Sequence, residues 1–284
     1  MDLTNKSEIK NLLKKHGAKP EKYLGQHFML SKMALQKMVE TAEIKINDRV
    51  VEVGPGLGTL TTELAKTGAH ITAIEKDNLM ISILKETLAN FKNVKVIQAD
   101  ARQLSLPLPG VRHRVKGEKV VDKYKIVANL PYNVATFLIH QWLESENPPQ
   151  MMVLMIQKEV AQRMLAQLPH SNVLAMSIQF YADAKIISYV SKELFWPKPK
   201  VDAAIVKIVP KKEQKQKTQN TFFAVVKAGF SQPRKQLMSN LAKKLKTPRE
   251  KLIEVFEDLH IPEQARAENL SLTDWQKLAV RLTR

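Results

Sequence analysis

The sequence predicts an α/β fold in which an open sheet of about seven strands is followed by a small all-α domain. Two observations lead to this prediction. Short runs rich in Val and Ile alternate with apolar-periodic stretches along residues 48–209, which is typical of a sheet covered by helices. The last quarter of the chain shows only helical periodicity, in four segments that include Phe222, Arg234, Leu252 and Trp275.

The composition narrows the classes to which the chain could belong. It has 284 residues, 44% of them hydrophobic, and no cysteine, which excludes disulfides, thiol nucleophiles and cysteine-ligated metals. The 7 histidines are scattered, and no spacing indicates a metal site. No apolar run approaches a membrane span of about 20 residues, and the N-terminus lacks a signal pattern. We therefore expect a cytoplasmic protein without membrane or metal partners.

The positive charge favours a nucleic-acid partner. The formal net charge is +17, and the segment from Lys211 to Arg284 alone carries 16 Lys and Arg against 8 Asp and Glu. A basic field of this size attracts polyanions, nucleic acid first. A basic surface kept only for solubility is the alternative.

The N-terminal segment contains a candidate ligand-binding loop. The sequence predicts a helix from Ser7 to His16 and a second helix capped by Ser31. Between them, Gly25-Gln26-His27-Phe28 is predicted to form a loop whose polar side chains and aromatic ring lean over a ligand. A packed N-terminal arm is the alternative.

A glycine-rich stretch follows the first strand of the predicted sheet. Residues 50–53 form a buried-strand pattern that opens through Gly54-Pro55-Gly56-Leu57-Gly58 into a helix, and glycines let the backbone approach a ligand closely. The next strand, at 70–74, ends in Glu75. This acid lies about 20 residues beyond the glycines, where it can accept hydrogen bonds from both ribose hydroxyls of a nucleoside. An ordinary surface charge is the alternative.

A second acid follows the strand predicted at 94–97. Asp100 lies at the carboxyl end of that strand, on the sheet edge where ligands bind, and could accept a hydrogen bond from an adenine amine. Nothing in the sequence marks a hydride site, which argues against a nicotinamide enzyme. The glycine stretch, Glu75 and Asp100 together resemble the binding loops of S-adenosylmethionine-dependent methyltransferases. Residues 105–122 predict only a loop.

The next strand leads into the turn Asn129-Leu130-Pro131-Tyr132. Pro131 fixes its own φ and favours an extended Leu130, which keeps the carbonyls of the turn out of a helical ladder. Asn129 offers a side-chain oxygen as acceptor, and Tyr132 offers a ring for stacking. Such a turn suits a flat base with an exocyclic amine, although an ordinary capped strand-to-helix turn is the alternative.

Three further strands, at 151–156, 185–190 and 203–209, complete the predicted sheet. Between the last two strands, prolines hold the chain extended, so Phe195 could face the carboxyl edge of the sheet opposite Tyr132.

The polar segment 211–220 is predicted to link a catalytic domain, residues 1–210, to a helical RNA-binding domain, residues 221–284. Arg234 and Lys235 are predicted to begin a helix of the second domain. The candidate phosphate-facing cations are Arg234, Lys235, Lys243 and Lys244.

Seven motifs occur in an order that resembles the small-subunit ribosomal RNA adenine dimethyltransferases. They are Tyr23-Leu24-Gly25-Gln26-His27-Phe28, Glu52-Val53-Gly54-Pro55-Gly56-Leu57-Gly58, Asn129-Leu130-Pro131-Tyr132, Leu154-Met155-Ile156-Gln157-Lys158-Glu159-Val160, Phe195-Trp196-Pro197-Lys198-Pro199-Lys200-Val201-Asp202, Phe230-Ser231-Gln232-Pro233-Arg234-Lys235 and Arg266-Ala267-Glu268-Asn269-Leu270. The resemblance spans nearly the whole chain and implies a Rossmann-like methyltransferase sheet. It also implies transfer of two methyl groups from S-adenosylmethionine, without a metal, to N6 of each of two adjacent adenines near the 3′ end of small-subunit ribosomal RNA during ribosome assembly.

The resemblance also implies roles for individual residues. The cofactor contacts carried over by position are His27, Met29, Gly54, Glu75, Asp100 and Asn129. On physical grounds, the residues that we predict to act in catalysis are Asn129, Leu130, Pro131, Tyr132 and Phe195. His27 stands where many relatives have Asn, and Met29 where many have Leu. The expected partner is ribosomal RNA in an assembling small subunit, bound by a monomer.

Three other functions stay open on the sequence. A related antibiotic-resistance methylase modifies large-subunit RNA with the same Asn-x-Pro-Tyr turn, but the match in the C-terminal domain argues against it. A DNA adenine methyltransferase would need a target-recognition region that the sequence lacks. A non-enzymatic assembly factor or transcription cofactor could keep the fold, although intact Glu75, Asp100 and Asn129 favour an enzyme.

Overall fold

The computed structural model describes residues 1–21, 25–104, 106, 123–132, 134–211 and 219–282. Of the connection predicted at 105–122, only Leu106 is within the described residues. Only Lys211, Gln219 and Asn220 of the predicted linker are described, and Tyr23-Leu24 of the first motif lies outside the described ranges.

The described residues form nine strands. They are β1 (Phe28–Met29), β2 (Arg49–Val53), β3 (His70–Glu75), β4 (Val94–Gln98), β5 (Lys125–Asn129), β6 (Met151–Gln157), β7 (Ala182–Val190), β8 (Phe195–Trp196) and β9 (Ala203–Pro210).

The same residues form eleven α-helices. They are α1 (Lys6–Lys15), α2 (Lys32–Thr41), α3 (Thr59–Ala65), α4 (Asn78–Thr87), α5 (Ala135–Leu143), α6 (Lys158–Met164), α7 (Val173–Tyr181), α8 (Gln219–Gly229), α9 (Leu237–Leu245), α10 (Arg249–Asp258) and α11 (Leu272–Leu282). None of these helices has both the length and the apolar character that a membrane crossing requires.

Seven strands form one sheet, in the order β4-β3-β2-β5-β6-β9-β7. Strands β2 to β6 pair in parallel, and β9 runs antiparallel to β6. The chain order reverses between β2 and β5, and such a reversal opens a crevice at the carboxyl edge of a parallel sheet. The predicted seven-stranded α/β fold with a helical C-terminal part is confirmed.

The central strands are apolar on both faces because helices cover both sides of the sheet. In β5, Ile126, Val127 and Ala128 are fully buried. The ladder between β5 and β6 ends with Asn129 opposite Met155. The Asn129-Leu130-Pro131-Tyr132 turn therefore begins at the carboxyl edge of the sheet, beside the reversal in strand order.

A second, two-stranded sheet joins distant parts of the chain. In it, β1 pairs antiparallel with β8, with Phe28 opposite Trp196 and Met29 opposite Phe195. The prediction that Phe28 lies in a loop is therefore wrong. A strand of two residues has no period of its own to detect, and here it is defined only by a partner far along the chain.

Side-chain caps define most helix starts near the sheet. Asn5 accepts the Ser7 N–H at the start of α1, and Ser31 caps α2 as predicted, accepting the Ala34 N–H. The predicted start of α9 is wrong, because Arg234 and Lys235 precede the helix, which begins at Leu237. The Lys235 N–H instead donates to the Gln232 carbonyl in a turn.

The described chain forms two compact units. The first comprises Met1–Ala161 with Lys185–Pro210, and contains both sheets apart from the first residues of β7. The second comprises Gln162–Ala184 with Lys211–Arg284, so α7 packs with the C-terminal helices although the sequence assigns it to residues 1–210. Aromatic rings explain this packing, because the Phe180 and Phe222 rings stack with centroids 4.5 Å apart. The division into a catalytic and an RNA-binding domain stays a prediction.

Candidate active site

A cavity of about 350 Å³ opens at the carboxyl edge of the large sheet, within the first unit. All ten residues that the sequence assigns to cofactor binding or catalysis line it. They are His27, Met29, Gly54, Glu75, Asp100, Asn129, Leu130, Pro131, Tyr132 and Phe195. The structure thus brings both predicted groups together around one space.

The glycine-rich stretch forms one wall of this cavity. Gly54 and Gly56 have φ of 70° and 57°, in the left-handed region that glycine adopts without strain. The Gly54 N–H donates to the Ile74 carbonyl over 3.0 Å, which fixes the loop to the end of β3. Side chains at these positions would point at Pro131 and Phe28, whose nearest atoms lie 3.5 Å from a Cβ built there.

Glu75 is buried at the end of β3 and accepts three backbone N–H groups. Oε1 accepts those of Lys76 and Asp77 over 2.7 and 2.9 Å, and Oε2 accepts that of Gly56 over 3.2 Å. Burial raises the pKa of Glu75, and the three donors offset part of that rise. Oε2 takes one N–H and keeps a lone pair for a ligand hydroxyl. This arrangement fits the ribose contact that the sequence predicts.

The Asp100 carboxylate contacts two cationic side chains. The Arg102 side chain contacts both carboxylate oxygens, with Nε 3.0 Å from Oδ1, and Lys76 Nζ lies 3.1 Å from Oδ2. Arg102, with a smaller contribution from Lys76, keeps the pKa of Asp100 well below its usual range. A carboxylate has about four lone-pair directions. An amine that binds Asp100 must therefore compete with Arg102 or Lys76.

Glu52 is a buried acid that also lines the cavity and to which the sequence prediction gives no role. Its side chain belongs to β2 and is 1% exposed, and Oε2 has no hydrogen-bond partner among the described residues. Burial, together with the nearby Glu75 carboxylate, raises the pKa of Glu52 to about 8. The signal was present in the sequence, because Glu52 is an acid inside the otherwise apolar run Val50-Val51-Glu52-Val53.

The Asn129-Leu130-Pro131-Tyr132 turn lines the cavity next to the glycine-rich stretch. The Leu130 N–H donates to the Met155 carbonyl over 3.1 Å, and the Pro131 carbonyl accepts the Val134 N–H over 3.2 Å. Of the two carbonyls that could face a ligand amine, the one on Pro131 is therefore engaged within the turn. The Leu130 carbonyl is the better candidate acceptor.

Tyr132 is fixed by the N-terminal segment. Its ring stacks on His27, with centroids 6.0 Å apart and planes inclined by 29°. Burial raises the pKa of Tyr132 to about 12, and its hydroxyl has no hydrogen-bond partner among the described residues. Tyr132 therefore stays neutral at physiological pH and presents an uncharged aromatic surface.

The N-terminal segment is anchored on both sides of the cavity. His27 Nδ1–H donates to the Pro197 carbonyl over 2.7 Å, next to the β1–β8 pair. Gln26 Nε2 donates to Asp77 Oδ2 over 2.9 Å, just beyond β3. Phe195 is 3% exposed and packs in the core with Met29 and Met155, so its predicted stacking on a base stays a prediction.

The predicted RNA-binding cations lie in the second unit. Arg234, Lys235, Lys243 and Lys244 are all exposed, the first two before α9 and the others in its last turn. Within the described ranges, no group of three or more His, Asp and Glu side chains is placed to hold a metal.

The fold and the site together define the class of the protein, a Rossmann-like methyltransferase in which the glycine-rich stretch, Glu75 and Asp100 line one cavity with an Asn-x-Pro-Tyr turn. Comparison with known families makes this specific. The chain belongs to the ribosomal RNA adenine dimethylase family, whose model matches residues 17–284. The family and the fold imply the use of S-adenosylmethionine.

Relatives of the chain carry the name ribosomal RNA small subunit methyltransferase A. The protein from Dehalococcoides mccartyi is 35% identical over 96% of this chain and 92% of its own length. The protein from Bacillus licheniformis is 37% identical over 99% of this chain and 97% of its own.

Solved structures show the same fold. A dimethyladenosine transferase from Plasmodium falciparum is 26% identical, has a TM-score of 0.76 and covers 90% of this chain and 98% of its own. The 23S rRNA methyltransferase ErmE is 23% identical, with a TM-score of 0.71 over 90% of this chain and 100% of its own. At 23% identity, the likeness to ErmE shows a shared fold and nothing more.

Glu52→Gln should stabilise the protein increasingly as the pH rises. The pKa of about 8 in the folded protein lies above the value of 4.5 for a free Glu side chain, so the unfolded chain loses this proton first and native stability falls between these pH values. We expect the gain from Glu52→Gln to grow by roughly 2–3 kcal/mol between pH 5 and pH 7.5. Urea unfolding at both pH values measures it. Glu257→Gln, at an exposed position on α10, is the control, and an equal gain at both pH values would contradict the prediction.

Arg102→Ala should raise the pKa of Asp100 towards its ordinary value, because it removes the guanidinium that contacts both carboxylate oxygens. Lys76→Ala should raise it less, since Lys76 makes a single contact. Carboxyl ¹³C chemical shifts followed through an acid titration give both values. A larger rise in the pKa of Asp100 with Lys76→Ala than with Arg102→Ala would contradict the prediction that Arg102 contributes more.

Proposed function

We propose that this chain dimethylates N6 of two adjacent adenines near the 3′ end of small-subunit ribosomal RNA, with S-adenosylmethionine as methyl donor. The observation that carries the proposal is that the Asn129-Leu130-Pro131-Tyr132 turn and the nucleoside-binding loops line the same cavity. Family membership and the names of the full-length relatives support the substrate class.

The chain offers complementary groups for the ribose and for the adenine of the cofactor. Glu75 Oε2 would accept from the ribose, Asp100 from the adenine amine, and the backbone of the Gly54-Pro55-Gly56 segment allows close approach. His27 and Met29 close the cavity from the N-terminal segment. When bound, S-adenosylmethionine supplies an activated methyl group on a positively charged sulfur.

The turn activates and orients the target amine. The N6 lone pair of adenine is delocalised into the ring, so the amine is a poor nucleophile until it becomes pyramidal. The Asn129 side-chain oxygen and the Leu130 carbonyl accept the two N6 hydrogens and favour that geometry. Positioning in line with the methyl group is then the main catalytic contribution.

Aromatic rings hold the base after it leaves the helical stack. Tyr132, fixed against His27 and uncharged, provides one surface, and Phe195 provides the other. After the first transfer one N6 hydrogen remains, so the site keeps one of its two hydrogen bonds during the second transfer.

The partner is ribosomal RNA within an assembling small subunit, and the protein acts as a cytoplasmic monomer. The net charge of +17 and the exposed cations around α9 support binding to a phosphate backbone.

Transfer of labelled methyl from S-adenosylmethionine to small ribosomal subunits that lack the modification tests the function. We expect dimethyladenosine, identified by mass, with small subunits and none with large subunits or duplex DNA. Tight binding to small subunits without transfer would support the assembly-factor alternative. Transfer to large-subunit RNA would support the resistance-methylase alternative.

Asn129→Ala should lower turnover by on the order of 100-fold, because it removes one of two acceptors for the target amine. The affinity for RNA should change little, since the cations that bind the backbone lie elsewhere. Single-turnover rates at saturating cofactor measure the first effect, and filter binding measures the second. Asn90→Ala, at an exposed position outside the cavity, is the control. An unchanged rate would refute the role given to Asn129.

A further inference from the structure

The segment that carries Arg234 and Lys235 is a bend between α8 and α9. The Lys235 N–H donates to the Gln232 carbonyl over 3.0 Å, which closes a turn around Pro233 and Arg234. The side chains of residues 232–236 are exposed. Two adjacent cations thus stand at the tip of a short, hydrogen-bonded turn. We call the whole segment from the last residue of α8 to the residue before α9 the 229–236 loop.

A buried side-chain amide in α9 donates hydrogen bonds to the backbone of this loop. Asn240 is 4% exposed, and its Nδ2 donates to the Gly229 carbonyl over 2.6 Å and to the Gln232 carbonyl over 3.0 Å. The two hydrogens of one amide are therefore used on the start of the loop and on the first residue of its turn. An asparagine is unfavourable inside a helix, and these two bonds explain its presence at a buried position.

Both ends of the 229–236 loop make further contacts with buried parts of the second unit. A Cβ on Gly229 would lie 2.3 Å from the ring of Trp275, so the backbone rests directly on this buried side chain. The next residue, Phe230, stacks on Trp275 with centroids 5.5 Å apart. At the other end, the Leu237 N–H donates to the Ala265 carbonyl over 2.8 Å. The exposed turn that carries the two cations is thus held by packing at one end of the loop and by a backbone hydrogen bond at the other.

We propose that Asn240 is a positioning residue that sets the 229–236 loop so that Arg234 and Lys235 contact adjacent phosphates of the RNA backbone. The inference rests on the proposed function in taking RNA as the ligand. Phosphate contacts fix the register of a protein on a nucleic acid. A loop that already has its bound conformation loses less conformational entropy on binding. Asn240 itself touches no RNA and acts only through the loop.

Asn240→Ala should weaken binding to unmodified small ribosomal subunits about tenfold. The slope of log affinity against log salt should fall by about 1 to 2, since two phosphate contacts are lost or weakened. The KM for RNA should rise while kcat at saturating RNA stays unchanged. Ser239→Ala, at the exposed preceding position of the same helix, is the matched control. A lower melting temperature with an unchanged salt slope would show that Asn240 contributes to packing alone, and would overturn the inference.

A double-mutant comparison separates the possible results. In the background of Arg234→Ala with Lys235→Ala, Asn240→Ala should cause no further loss of affinity, because its effect passes through these cations. An equal further loss in that background would overturn the inference, as would an unchanged affinity and salt slope in folded Asn240→Ala. Should Asn240→Ala not fold, Asn240→Ser replaces it, since a hydroxyl keeps a small polar group at this buried position but has one hydrogen for the two carbonyls of Gly229 and Gln232.

The inference and the proposed function can fail separately. If Arg234→Ala with Lys235→Ala leaves affinity unchanged, the loop is not an RNA contact and the inference falls, while methyl transfer by the wild-type protein still supports the function. If the wild-type protein transfers no methyl group but the loop variants weaken RNA binding as expected, the inference stands and the proposed activity fails.

Discussion

The site depends on the parallel register of β5 between β2 and β6. Val51 pairs with Ile126, and Asn129 pairs with Met155, so the glycine-rich stretch and the Asn129 turn leave the sheet at the same edge. A shift of one residue in β5 would turn its side chains to the opposite face and move the turn away from the glycines. Ile126 and Val127 are both fully buried and differ in size, so a shift that exchanged their faces would disturb the close packing on both sides of the sheet.

Within this frame, the three acids of the cavity face different electrostatic environments. Glu75 lies among backbone N–H donors, Asp100 lies between two cations, and one oxygen of Glu52 has no partner among the described residues. Burial alone raises the pKa of a carboxyl, whereas cations and donors lower it. The pKa of Asp100 is therefore far below its usual range while that of Glu52 is about 8. Neighbouring carboxyls thus carry different charges at the same pH.

The sequence predicted the parts of the site that are set by local order along the chain. Glu75 follows the glycines at the spacing of one strand-helix-strand unit, and Asn129 precedes a proline that ends the strand. Contacts between segments far apart in the chain could not be predicted in this way, because no local sequence pattern marks them. The β1–β8 sheet depends on two residues on each side, and the contact of Arg102 with Asp100 depends on a side-chain rotamer. The packing of α7 with the C-terminal helices depends on the stacking of Phe180 on Phe222, and no local pattern shows which apolar side chains the Phe180 ring contacts.

The pairing of β1 with β8 also affects the order in which the cavity can be completed during synthesis. Residues that line the cavity occur from Gly25 to Phe195, and the strand that secures His27 and Met29 is paired only by Phe195 and Trp196. A nascent chain that has formed the first five strands of the large sheet still lacks the partner of its N-terminal segment. Domains fold as units during translation once their long-range contacts are available. The growing polypeptide therefore acquires a closed ligand pocket only after about two thirds of it has left the ribosome that makes it.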